Sequence, residues 1–429
     1  MKKKYRIILY TSIFLLCVVA SIILVVKKSN SVYEEESKPK VVKHKSMLSM
    51  NLEQTAGSGD YKTVTQSSWP TEGYKFNAEL SKCENGSTLS WDDTKKAVIV
   101  SGNLSDKCYV YFDIYQPTLA EYIKSQYTGT QGENNIYYHD SDLANGAGDN
   151  SYRYAGANPN NFVCFGTTES PCPTDNLYRI IGVFGENYHG VTGKQLVKLI
   201  KYDYMTTDEL GTDGDYSQTY KEWGMDSTYK GTYGDGERIG VYYWNYKATG
   251  SATNTWSTSL LNKTNLNTNF INNIGTTWAN KIATVTWKVG GNTWANIGTK
   301  TSSVAYTNEI TNPVTTNTTD NATTYSAKIG LMYVSDYGFA ASPDAWTLTM
   351  SSYNNTTATN NNWMYMGLYE WTISRNADSS DSAFFVDNGG YVNNNYVGSN
   401  FGVRASFNLE SSVSYVSGSG SMSDPIVIN

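Results

Sequence analysis

Apolar residues gather in one uninterrupted run near the start of the chain and are scattered thereafter. Ile7 to Val26 is a run of twenty mostly apolar residues, with Lys2, Lys3, Lys4 and Arg6 before it and Lys27 and Lys28 after it. At about 1.5 Å rise per residue such a run matches a hydrocarbon core of about 30 Å. The pattern predicts a single transmembrane helix. Basic flanks stay on the cytoplasmic side, so residues 1–30 read as an anchor with a cytoplasmic stub and everything downstream as extracellular. A cleaved signal peptide is the rival reading. Its apolar region is usually only about 7–15 residues long, and cleavage after Ala20-Ser21 would leave Ile-Ile-Leu-Val-Val exposed.

Downstream the pattern changes three times. Residues 31–68 show no apolar periodicity; Glu34–Glu36, the lysines of 38–45 and Ala56-Gly-Ser-Gly59 read as a flexible stalk. Residues 69–116 are β-patterned. Ala97–Val100 and Tyr109–Tyr115 are β-branched and aromatic, and Asn85-Gly86, Asp92-Asp93 and Ser101-Gly-Asn103 supply turns. Within 117–150, Thr118-Leu-Ala-Glu121 is a capping box that opens a short helix to Gln126, followed by a Gly/Asn/Asp-rich linker. Residues 151–429 form the main domain. Strands are predicted at Leu177–Phe184, Gln195–Ile200, Val241–Tyr246, Ile282–Trp287, Ile329–Val334, Ala383–Val386 and Gly402–Leu409. A helix is predicted over Ser257–Ile274, where Leu266, Phe270 and Ile274 recur four apart and Gly275 stops it. The fold class is α+β and β-rich.

Cysteines and charge narrow the setting. Cys17 lies inside the apolar run, which leaves Cys83, Cys108, Cys164 and Cys172 outside it. An even set outside the cytosol suggests disulfides. Three pairings are possible, and proximity favours Cys83–Cys108 and Cys164–Cys172. The first would staple a β module too small to hold itself well. Beyond residue 30 the chain carries 27 basic and 39 acidic side chains. That balance argues against nucleic acid, which needs a basic footprint. Tyrosine (35) and tryptophan (11) are abundant and give rigid contact area with a polar tip, which suits recognition.

Towards the C-terminus several motifs follow one another. They are Trp256-Ser-Thr-Ser-Leu-Leu261, Leu266-Asn267, Phe270, Ile329–Ser335, Trp371-Thr-Ile-Ser-Arg375, Ala383–Val386, Gly389-Gly390 and Gly402-Val-Arg-Ala405. In this order they resemble a family of bacterial extracellular domains of unknown function. That family is related to the C-type-lectin-like fold shared with formylglycine-generating enzymes and diversified receptors. Ser81–Gly86, Asp106–Tyr111 and Tyr152–Pro159 are similar to recurrent pieces of surface proteins from low-GC Gram-positive relatives. The resemblance implies a C-type-lectin-like domain over 151–429. Ala405 stands where the family has proline. The Glu-Pro-Asn, Gln-Pro-Asp and Trp-Asn-Asp motifs of calcium-dependent sugar binding are absent, and no cysteine follows Cys172. The formylglycine chemistry is therefore not expected.

In diversified receptors the positions before the last strand form the ligand face. Here these are Tyr391, Asn393, Asn394, Asn395, Tyr396, Asn400 and Phe401. Turn-forming asparagines of a biased composition are the plain alternative. Arg404 is expected in a strand, where its charge needs a carboxylate or carbonyl partner. Cys164 with His139 or His189 could form a nucleophilic dyad, but a disulfide competes for the thiol. Asp140, Asp142 and Asn145, or Asp213 and Asp215, begin like calcium loops but lack a position-12 glutamate and read as solvated turns. No catalytic residue, cofactor or metal is assigned. The expected role is binding or adhesion to an unidentified protein or glycan; a secreted glycan-processing enzyme or a structural surface component are the alternatives.

Overall fold

The computed structural model describes residues 48–65, 67–71, 73–103, 105–246, 252–313 and 323–429. The expected anchor at Ile7–Val26 lies outside them. Among the described residues no helix is long and apolar enough to cross a membrane. The chain forms two compact units, divided between Tyr115 and Gln116.

The first unit contains a sheet of order β2-β1-β6-β3 and a hairpin β4-β5. The strands are β1 (Leu48–Glu53), β2 (Tyr61–Val64), β3 (Tyr74–Cys83), β4 (Thr88–Asp92), β5 (Ala97–Ser101) and β6 (Cys108–Ile114). Met50, Leu52, Val110 and Phe112 form its core, with Trp69, Phe76 and Trp91 against them. The latter part of the expected stalk is thus not a stalk. Residues 48–64 are the β1–β2 hairpin, and Ala56-Gly-Ser-Gly59 turns it. Only Met50 and Leu52 alternate there, because Asn51 and Glu53 are buried as bonded polar groups. Asn51 donates to the Val110 carbonyl, and Glu53 accepts the Gly59 and Ile114 N–H groups. Cys83–Cys108 joins β3 to β6.

The second unit is β-rich with short helices. Its main sheet, antiparallel throughout, has the order β16-β21-β11-β10-β8-β7, with β9 also on β10. These strands are β7 (Ile136–His139), β8 (Ser151–Tyr154), β9 (Phe162–Cys164), β10 (Leu177–Phe184), β11 (Leu196–Lys201), β16 (Ile329–Gly330) and β21 (Ser406–Asn408). Strands β10 and β11 are buried at every position, so they read as near-continuous apolar runs. The expected linker 117–150 belongs to this unit. Thr118 caps the helix Leu119–Ser125 as a capping box, and β7 lies in the sheet. The two ends of the unit meet: Leu119 N–H bonds to Val413 O at 2.8 Å, and Tyr122 stacks on Tyr415. Cys164–Cys172 is formed.

Two elements differ from expectation. The helix expected over Ser257–Ile274 is a wide π-type helix at Leu261–Phe270, continued by Ile271–Ala279. Asn267 and Thr268 side chains bond carbonyls five residues back, Asn262 O and Lys263 O, which favours the wider turn. Gly275 breaks the helical geometry at φ 74°. The strand expected at Ile329–Val334 stops at Gly330, and Val334–Phe339 is helical.

That helix starts over a buried ionic cluster. Lys198 Nζ on β11 lies 2.6 Å from Asp336 Oδ2, and neither side chain is exposed. Lys198 also donates to Tyr188 Oη, which donates to Asp336 Oδ1, both at 2.6 Å. Arg153 on β8 bonds Asp149 at 2.8 Å and lies 3.7 Å from Asp336. Glu309 accepts the Val334 and Ser335 N–H groups at 3.2 and 3.0 Å, and the Ser374 hydroxyl. Isolated, each of these charges would be costly to bury; together they are compensated.

Burial raises the Glu309 carboxyl from 4.5 to about 7, against the pull of its Ser374 and Ser335 bonds. Between those values the folded state binds more protons than the unfolded state, so stability falls as pH rises through this window. Urea unfolding of the wild type should show this loss between pH 4.5 and about 7, and Glu309→Gln should flatten it. An unchanged slope in the variant would assign the dependence elsewhere.

Candidate functional site

The expected ligand residues lie on two short strands. Strand β19 (Val392–Tyr396) is the outer strand of the sheet β17-β18-β19, with β17 at Glu370–Arg375 and β18 at Ser382–Val386. Strand β20 (Asn400–Phe401) pairs with β13 (Gly240–Tyr243), which also pairs with β12 (Tyr216–Thr219).

The asparagine run has a local structural role. Asp387 N–H bonds Tyr391 O, and Val397 N–H bonds Asp381 O. The antiparallel alternation therefore turns the backbone of Asn393 and Asn395 toward β18 and that of Asn394 and Tyr396 toward the open edge. Asn393 Oδ1 accepts the Asn394 N–H and Asn395 Oδ1 the Tyr396 N–H, each at 2.8 Å. Outward-facing amides are thus capped by the preceding side chain, which blunts the edge against strand addition. Asn394 also takes a bond from Asn376, and Asn400 donates to Ser217.

Phe401 is not presented to solvent. It is 5% exposed, with its ring 4.5 Å from Trp371, 4.6 Å from Phe385 and 5.4 Å from Tyr369. Two exposed rings lie around this cluster. Trp223 closes the helical turn Tyr220–Trp223, capped by Thr219, and is 37% exposed. Its ring lies 5.4 Å from half-buried Tyr369. Tyr391 is 38% exposed and within electrostatic range of Tyr369. Its phenol is raised chiefly by its hydrogen bond to Asp387. Asp387 is itself raised by burial, opposed by Tyr391 and by the Gly389 N–H. The Asp226 carboxylate is lowered: burial works upward, but bonds from Thr228 and Asn388 outweigh it. Trp223 and Tyr369 thus form an aromatic face over Phe401, with Tyr391 a further exposed ring at the start of the β19 segment. Tyr396, 43% exposed, stands at the far end of β19. Sequence reasoning found Tyr391 and missed Trp223 and Tyr369; the Thr219-x-x-Glu222 capping box is the only local signal for Trp223.

Strand β17 is held from below by Arg404. Its Nε donates to Glu370 at 2.8 Å and its guanidinium to Met364 O at 2.6 Å. The expected partner classes, carboxylate and carbonyl, are both present. Arg404 does not lie in a regular strand. Of the stretch Gly402–Leu409 expected to be one strand, only Ser406–Asn408 is regular strand (β21), and Arg404 lies between β20 and β21 with its side chain buried. Burial pushes Glu370 upward, with Arg404 opposing; burial would lower Arg404, but Glu370 outweighs it.

The other candidate sites are occupied by structural roles. Cys164 is in a disulfide. His139 Nδ1 accepts the Ala147 N–H, and burial holds its pKa well below normal. His189 Nδ1 accepts the Val191 N–H. Asp140 accepts the Asp142 and Leu143 N–H groups. Asp213 accepts from Asn269, and Asp215 from Leu261 and Tyr246. Among the described residues no group of three or more His, Cys, Asp or Glu side chains could hold a metal ion.

No family model, curated protein or solved structure matches the chain.

Removing one partner of a buried pair leaves the other charge uncompensated, at a cost of about 3–5 kcal/mol. Arg404→Leu should destabilise the second unit by about that much in urea unfolding. Arg404→Leu with Glu370→Leu should recover most of the loss. A double variant no better than the single one would contradict the pairing.

Proposed function

We propose that this is a single-pass cell-surface protein whose C-terminal unit binds an external ligand without catalysis. In this reading the apolar run at Ile7–Val26 is the anchor, and the second unit is a C-type-lectin-like domain. The ordered family-like motifs support that fold, as do the antiparallel sheet, the short helices and the paired ends of the unit. Two disulfides suit an oxidising exterior.

The observation that carries the binding role is the exposed aromatic face. Trp223 and Tyr391 are large rings left in solvent, and Trp223 rests on Tyr369 and Phe401, which pack on Phe385 and Trp371. Rigid aromatics lose little entropy on binding and bring both apolar area and a polar tip. The ligand classes proposed are a glycan or a protein surface, with Asn395, Tyr396 and Asn400 as further candidate contacts along β19 and β20. The net acidic exterior argues against nucleic acid.

Screening the full chain, purified in detergent, against glycan and protein panels tests this. Trp223→Ala and Tyr391→Ala should each weaken a hit by about tenfold, or about 1.4 kcal/mol, with the melting temperature retained. Hits that survive both substitutions unchanged would remove the face from the account.

A further inference from the structure

The Lys198–Asp336 contact plays no part in the aromatic face, and its chemistry goes beyond that of an ordinary ion pair. We propose that Lys198 and Asp336 condense into an intramolecular isopeptide bond, a covalent amide between β11 and the helix Val334–Phe339. The amine and the carboxyl oxygen are 2.6 Å apart and wholly shielded from solvent, the kind of fixed approach that makes a second-order reaction effectively unimolecular.

The surroundings favour the product. The rings of Tyr333, Tyr188 and Trp287 lie 4.4, 4.8 and 5.0 Å from Nζ. In water, an ammonium and a carboxylate resist condensation because both ions are strongly hydrated. Here that hydration is stripped away and the ions carry the full desolvation cost. A neutral amide does not carry it, and the water produced escapes to solvent. Burial also lowers the lysine pKa, with Asp336 opposing, so the free amine is more accessible than on a surface lysine.

The groups around the carboxyl have definable tasks. Tyr188 donates to Asp336 Oδ1 at 2.6 Å, and Arg153 stands 3.7 Å from the same oxygen. Both stabilise the negative charge that gathers on Oδ1 when nitrogen adds to the carbonyl carbon. Glu309, bonded to the Val334 and Ser335 N–H groups just before Asp336, fixes the turn that carries the carboxyl. The amine lone pair forms the C–N bond, and the C–Oδ2 bond breaks. The nitrogen passes one proton to the departing Oδ2, 2.6 Å from it in the ion pair, and Oδ2 leaves as water. The sum is amine plus carboxylic acid to amide plus water, with no change of oxidation state.

Tryptic peptide mapping of the purified full chain is decisive, whatever processing occurs at its N-terminus. An acylated Lys198 resists trypsin. The expected product is Gln195–Lys201, uncut at Lys198, joined to Ile329–Arg375 and lighter by one water than the two peptides summed. Recovery of free Gln195–Lys198 together with unlinked Ile329–Arg375 would overturn the proposal. In Lys198→Arg the branched peptide should vanish; its persistence would overturn the assignment of the lysine. Tyr188→Phe should leave a larger unlinked fraction, and full linkage in that variant would overturn the assigned role of the Tyr188 hydroxyl at Oδ1.

Discussion

The contact between Lys198 and Asp336 is the constraint on which the second unit depends. It ties the most buried pair of strands, β10 and β11, to the start of the helix Val334–Phe339 across 138 residues of sequence. Loops rich in Asn, Thr and Gly fill much of that interval, and loops of such length do not fix their own geometry. As an ion pair, before any amide forms, the contact adds little net stability compared with apolar side chains of the same size. What it adds is uniqueness: only one docking of the helix satisfies Lys198, Tyr188, Arg153 and Glu309 together. Arg404 and Glu370 play the same part under β17. Rotating or sliding β17 would strand one of those charges in a dry interior.

With those two anchor points set, the aromatic face follows. Trp371 donates its indole N–H to Tyr242 O, Phe401 packs on Trp371, and Tyr369 stacks on Phe401. Trp223 packs on the edge of this layer, and both it and Tyr391 stay partly in solvent. The Asn-rich strand beside them has a structural role of its own. Its side chains cap the open-edge amides, so an apparently featureless run of asparagine has a specific backbone task.

Much of the fold was legible where the signal was local. Leu177–Phe184 reads as a strand because both faces are buried, and Thr118 with Glu121 reads as a helix start because both halves of the capping box lie within four residues. The disulfides could be paired by proximity. Signals that depend on distant partners were not legible. Residues 48–64 looked like a stalk because Asn51 and Glu53 satisfy backbone groups of β6 and of their own hairpin rather than alternating with apolar neighbours. Val334–Phe339 looked like a continuing strand because the carboxylate that caps its first turn, Glu309, comes from 25 residues away. For the face, Tyr391 was found from its place before the last strand. Trp223 and Tyr369 are far apart in sequence and meet only in the folded chain, ring to ring and against Phe401. Arg404 was legible as a residue in need of a partner, but Glu370 could not be named.

Hydrogen exchange resolved along the chain separates a unit locked by its buried charges from one whose elements open independently. If the buried charged contacts lock the unit, amides of β10, β11, β17 and Val334–Phe339 should exchange only through global unfolding. They should then share one free energy, equal to that from denaturant. If Val334–Phe339 or β17 instead exchanged by separate, low-energy openings, the contacts at Asp336 and Glu370 would not be what holds the unit, and the account would be contradicted.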